Sequence, residues 1–230
     1  MIPEKQNSVI IVAGGKGLRA GGEVPKQFSL ISGRPLLMYT IDAFCKFDYR
    51  MKIVVVLPKD YIDFWRQLCS EHEFGGEHEI VEGGSTRFHS VRNGLERLPI
   101  VGTIGVHDGA RPFVTPRLIG RCYETSFKED VGVVPVVDSI DSLRSVRGGE
   151  SKIVDRNEIK VVQTPQVFPA EMLKRAYRTE YKESFTDDAS VVEAMGEKIL
   201  LVEGEPTNIK ITTPFDLELA EFYKNYMAKS

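Results

Sequence analysis

Short β-branched runs alternate with helix-patterned stretches from Val9 to Val137, and that rhythm leaves few folds open. Val9–Ala13 and Lys52–Leu57 are near-continuous apolar runs, the pattern of strands covered on both faces. Helical patterning follows Pro35 through Phe44, covers Asp60–Cys69 and Thr86–Leu98, and returns at Pro116–Phe127. Glu79–Val81, Thr103–His107 and Val131–Val137 read as further strands between these helices. Strands separated by helices run parallel, because each crossover returns the chain to the same end of the sheet. The expected fold is therefore α/β, a Rossmann-like, doubly wound, mostly parallel sheet. Ligands in such sheets bind beyond the carboxyl ends of the strands.

After Val137 the rhythm breaks. Ser142–Val146 and Ile159–Val162 alternate around Arg147-Gly148-Gly149-Glu150 with no helix between them, which predicts a projecting β-arm built as a hairpin. The 230 residues suit a single domain over 1–230, with the arm as an excursion over 138–163. A two-stranded arm needs something to cover its apolar face, and a homodimer is the economical answer. Downstream, a helix is expected over Ala170–Tyr181, then one capped by Thr186 with Asp187 and Asp188 in its first turn. Ile199–Val202 and Asn208–Ile211 read as strands. In the C-terminal helix Thr213 is the N-cap, Pro214 the first residue and Asp216 the acidic N3 partner.

Net charge is −3, with 30 basic against 33 acidic residues, so no nucleic acid or anionic membrane is implied as a partner. No apolar run approaches the roughly 20 residues of a membrane helix. Cys45, Cys69 and Cys122 form no C-x-x-C pair, and the polar Met1–Ser8 has no signal-peptide pattern. A cytoplasmic location is expected.

The first strand runs into Ala13-Gly14-Gly15-Lys16-Gly17-Leu18-Arg19, with Pro25-Lys26-Gln27 shortly after. Gly14, Gly15 and Gly17 let backbone amides approach an anion, while Arg19 and Lys26 add two cations, as phosphoryl transfer requires. Neither the dinucleotide fingerprint nor the Walker loop is met: Ala20 and Arg19 stand where each needs a glycine. Asp108, at the end of the Thr103 strand, faces the same crevice and could hold Mg²⁺, directly or through water. Arg111 is a candidate phosphate clamp, and His107 reads as a strand residue instead of a base. Gly83-Gly84-Ser85-Thr86 with Ser90 forms a second turn, able either to meet a base or ribose or simply to cap a helix. Lys210 is costly in a strand unless it meets an anion, and Ser139, Thr164 and Thr186 place hydroxyls near turns.

With AGGKGLR (Ala13–Arg19), PKQ (Pro25–Gln27), GGSTRFHSV (Gly83–Val91), HDGARPF (His107–Phe113), VDRN (Val154–Asn157), TPQVF (Thr164–Phe168), TDDAS (Thr186–Ser190) and NIKITTPFDL (Asn208–Leu217) in order, the sequence resembles the 2-C-methyl-D-erythritol 4-phosphate cytidylyltransferases of isoprenoid synthesis. The resemblance implies transfer of a cytidylyl group from CTP to that sugar-alcohol phosphate, with Mg²⁺ as cofactor. It implies that Arg19 and Lys26 stabilise the transition state and that Ala13, Gly14, Gly15, Gly17, Gly84, Ser90 and Asp108 line the CTP site. It gives Arg156 and Lys210 the acceptor, helped by Arg111, Thr164 and Thr186, with Ser139 contributed across a dimer. Gly109, Ser85 and Ser139 depart from the alanine, aspartate and threonine that the family usually carries there. A ribitol 5-phosphate cytidylyltransferase would share the glycine loop and the Asn208 segment, whereas VDRN and TDDAS follow the methylerythritol type. A non-catalytic nucleotide-binding module would keep the glycine turns but could lose the cations.

Overall fold

The computed structural model describes residues 6–15 and 25–227. Its centre is an eight-stranded sheet whose strands are mostly parallel. β1 (Asn7–Val12) lies between β4 (Lys52–Leu57) and β6 (Thr103–Asp108), parallel to both, and β5 (Glu79–Glu82) extends the sheet beyond β4. On the other side β11 (Gln166–Pro169) runs antiparallel between β6 and β7 (Gly132–Asp138). β12 (Ile199–Glu203) pairs in parallel with Gly132–Val136 of β7. The short β2 (Leu30–Ile31) and β3 (Arg34–Pro35) pair separately.

Both faces of the sheet are covered, which is why its strands read as apolar runs. Val9 and Ile11 point to the side of α1 (Leu36–Phe47), α2 (Ile62–Glu71) and α4 (Pro116–Glu129), where Phe44, Trp65 and Tyr123 are fully buried. Ile10, Val54 and Val56 point to the other side, toward α3 (Arg87–Leu95), α5 (Ala170–Ala176) and α6 (Asp188–Glu193), with Phe88 and Phe168. α7 (Pro214–Met227) packs on a third cluster around Ile31, Phe113 and Ala220. Its start is capped as expected: Thr213 N–H donates to Asp216 at 2.8 Å, and Asp216 N–H donates to Thr213 Oγ1 at 3.2 Å.

The arm differs from its expected pairing. β8 (Leu143–Arg147) pairs with β9 (Glu150–Val154), not with Ile159–Val162. Gly148 and Gly149 have φ of +57° and +83°, so a two-residue turn closes the hairpin at once, with Arg147 opposite Glu150. β10 (Lys160–Val162) returns to the main sheet, antiparallel to Val136–Asp138 of β7.

Three other expectations are corrected. Asn208–Ile211 forms no strand, because Asn208 is buried and its side chain donates to Thr164 O at 2.8 Å instead of joining a ladder. The cap of α6 is Asp187 and not Thr186: Asp187 is extended and its carboxylate accepts from Ser190 N–H at 2.9 Å, a capping box. Finally, α5 ends at Ala176, five residues before Tyr181, as Tyr177 turns its ring into the core.

Candidate active site

The carboxyl ends of β1, β4, β5 and β6 lie together because these strands are parallel, and a cavity of about 560 Å³ opens there. Its floor is Ala13-Gly14-Gly15, the continuation of β1. Gln27 fixes that segment: its amide nitrogen donates to Ala13 O at 2.7 Å and to Gly15 O at 3.3 Å. Two carbonyls that would repel an anion are thereby tied back, and Lys26, next to Gln27, lines the cavity.

The second wall is the turn into α3. Ser90 is buried, accepts from Gly84 N–H at 3.1 Å and donates to Thr86 O at 2.9 Å, so its hydroxyl holds the turn closed. A Cβ on Gly84 would fall 2.3 Å from His89 Cβ, which leaves no room for a side chain. Thr86 caps α3. Arg87 follows and lines the cavity while binding Asp188 through two contacts, at 2.9 and 2.6 Å. Burial opposes the charge on Arg87, but Asp188 outweighs it and holds the guanidinium protonated.

Asp108 closes the third side. Its carboxylate lies 2.9 Å from Lys210 Nζ and 3.3 Å from Arg111 Nε. Burial pushes this carboxyl up, yet Lys210, Arg87 and Arg111 together outweigh that and hold it well below the usual carboxylate range. Arg111 also donates to Asn208 O at 2.7 Å, which brings the Lys210 segment to the strand end. Behind Asp108, Thr164 Oγ1 accepts from Asp108 N–H at 3.1 Å and lies 3.1 Å from His107 Nδ1. Its hydroxyl proton therefore points to Nδ1, and Nε2–H donates to Arg111 O at 3.2 Å. Full burial pushes His107 down to about 4, so it is a neutral brace and not a base, as the sequence reading holds. Cations around a tied-back glycine turn suit a polyphosphate, with an ionised carboxylate beside it.

The family model for 2-C-methyl-D-erythritol 4-phosphate cytidylyltransferase (IspD) matches residues 8–225. The enzyme of that name from Bacteroides thetaiotaomicron is 55% identical over 214 residues, covering 93% of this chain and 97% of its own. Its namesake from Porphyromonas gingivalis W83 is 43% identical over 219 residues, covering 95% and 97%. The chain belongs to the 2-C-methyl-D-erythritol 4-phosphate cytidylyltransferase family. Solved structures agree. The 4-diphosphocytidyl-2C-methyl-D-erythritol synthase of Anaerococcus prevotii superposes with a TM-score of 0.81 at 28% identity, covering 96% of both chains. The cytidylyltransferase of Thermus thermophilus gives 0.74 at 33% identity, covering 96% of this chain and all of its own.

Of the residues the sequence singles out within this cytidylyltransferase framework, Ala13, Gly14, Gly15, Lys26, Gly84, Ser90, Asp108 and Lys210 line one cavity. Gly17 and Arg19 lie outside the described residues. Arg111 and Thr164 sit behind Asp108 and brace it, Arg111 also holding Asn208 O and Thr164 also meeting His107. Thr186 is exposed, one residue before the cap of α6. Ser139 and Arg156 meet elsewhere, in a separate hollow of about 350 Å³ on the arm with Asn157 and Lys160, sharing no lining residue with the cavity. Arg87 and Gln27 carry no assigned role in the sequence reading, and Asp188 has only a place in the first turn of a helix. Arg87 had a signal: a cation in the first turn of a helix is unfavourable unless an acid pairs with it. Gln27 is neutral, and nothing in its local pattern marks it.

Proposed function

We propose that the cavity binds CTP and that the protein joins it to 2-C-methyl-D-erythritol 4-phosphate, giving CDP-methylerythritol and pyrophosphate. An oxygen of the acceptor phosphate forms a bond to the α-phosphorus as the bond to the bridging oxygen of pyrophosphate breaks. That nucleophile is already ionised, which suits a site whose histidine is neutral and walled in. Lys26 and Lys210 around one cavity are the observation that carries the reading, because charge develops on the phosphate oxygens in the transition state. A ground-state triphosphate meets the same cations, but they speed the reaction only to the extent that they bind the transition state more strongly.

Mg²⁺ fits this site in one form. Among the described residues no group of three or more His, Cys, Asp or Glu is gathered for a metal. Asp108 offers a single ionised carboxylate, and magnesium is commonly held by one or two carboxylates together with substrate phosphates. When bound, the ion would neutralise phosphate charge; Asp108 would hold it and Lys210 would turn to the acceptor.

A homodimer through the arm completes the reading. Ser139 and Arg156, which the resemblance gives to the acceptor, lie on the arm and not at the cavity of the same chain. Ile140 and Ile153 are more than four-fifths exposed there, surface that a second copy would cover. The three cysteines are free, which supports the cytoplasm as its compartment.

Pyrophosphate release from CTP and Mg²⁺ should be measured with either acceptor. The methylerythritol phosphate is expected to turn over faster; a preference for ribitol 5-phosphate would move the protein to the pentitol enzymes, and silence with both would leave a binding module.

A further inference from the structure

Arg87 reaches from the cavity wall to a carboxylate that has no exposure at all. Asp188 is 0% exposed and takes both Arg87 nitrogens, and Tyr177 donates its hydroxyl to the same carboxylate at 2.7 Å. The neighbouring residue repeats the connection in apolar form. Phe88 stacks on Tyr177 with centroids 4.7 Å apart and on Phe185 at 5.8 Å. From below, Gln166 accepts from the Asp188 and Ala189 N–H groups at 3.1 and 2.9 Å and donates to Asp187 at 2.8 Å. The start of α3 and the stretch from Tyr177 to Asp188 are thus fastened to each other by a paired charge and a ring stack, and the end of that stretch is tied to β11 by Gln166.

We propose that Arg87 is a positioning residue: its pair with Asp188 makes the turn at Gly84–Thr86, which walls the nucleotide cavity, and the turn at Thr186–Asp188 one rigid unit. A bidentate guanidinium–carboxylate pair fixes both distance and plane, which a lysine or a single bond would not. Without it the nucleotide wall would hinge on Thr86 while the 186–188 turn moved independently. The inference rests on the reading that CTP occupies the cavity and that the acceptor lies beside Thr186.

Arg87→Gln, Asp188→Asn and the double variant test it by steady-state kinetics with each substrate varied. Each single change should raise the KM of both CTP and the acceptor about tenfold, with kcat moved less than about threefold, and the double variant should be no worse than either single. Three results overturn the proposal. One is additive losses in the double variant. Another is a CTP defect for Arg87→Gln alone, which would make Arg87 a direct phosphate contact. The third is unchanged KM values despite a lowered Tm, which would make the pair structural only. If Asp188→Asn does not fold, Tyr177→Phe, which keeps the pair but removes one of its supports, should still raise both KM values about twofold; no change would also overturn it. An inactive wild type would instead break the reading beneath it.

Discussion

The described walls of the cavity are anchored to the sheet, whereas the β8–β9 hairpin of the arm is held by little beyond its own ladder and turn. At the cavity, Ala13 follows β1, Ser90 clasps the second glycine turn, and Asp108 ends β6 with Thr164 and Arg111 behind it. In the arm, β8 and β9 pair only with each other, and their residues are almost all exposed. The described part of the first region is therefore held in place by contacts within one chain. The second has little packing of its own within the chain, and two of the polar side chains assigned to the acceptor sit on it.

The widest contrast should appear in stability. Phe168 is fully buried under α5, so Phe168→Ala should cost about 3–5 kcal/mol in urea unfolding. Ile153→Ala, at 81% exposed, should stay within about 0.5 kcal/mol for the isolated chain and show its effect only in dimer dissociation. A large monomer effect for Ile153 would end the contrast.

Acid should weaken the core and not the arm, which has no histidine. His107 is held at about 4 when folded against an ordinary 6.5, so as pH falls the unfolded chain takes its proton first. Its contribution is complete above pH 6.5 and is lost progressively down to about 4, by roughly 3 kcal/mol. Chemical denaturation between pH 7 and 5 reads this slope, and His107→Gln should flatten it.

Lys26→Ala should lower kcat/KM at least about 100-fold, near 2.7 kcal/mol of transition-state stabilisation, as measured by pyrophosphate release. A rate within threefold of wild type would remove Lys26 from the mechanism.

Arg156→Ala should raise the acceptor KM about tenfold and leave the CTP KM unchanged. Mixing it with Lys26→Ala sharpens the comparison further, because a mixed dimer pairs an intact cavity with an intact arm. With the acceptor held well below its KM, where the Arg156→Ala dimer is itself slow, random exchange should restore about a quarter of the wild-type rate. No recovery would mean that arm and cavity work within one chain.

Much of this was legible in advance. The apolar runs and glycine turns announced a parallel sheet with a crevice at its strand ends, since both signals are local in sequence. The hairpin partner of β8 was misread because Ser142–Val146 alternates equally well with either following segment; the two positive-φ glycines chose the nearer one. The Asn208–Ile211 segment was misread as a strand because periodicity cannot show that Asn208 spends its amide on Thr164 O and Gln163.

The sequence by itself determined the covered sheet and the kinds of side chain at its edge, because periodicity and residue chemistry are properties of neighbouring positions. Tertiary structure alone decided that Lys210 reaches Asp108 from more than a hundred positions away, that Arg87 is answered by a buried Asp188, and that Ser139 and Arg156 stand apart from the cavity. Charges find partners by proximity in space, and no local pattern records which distant residue the fold brings alongside.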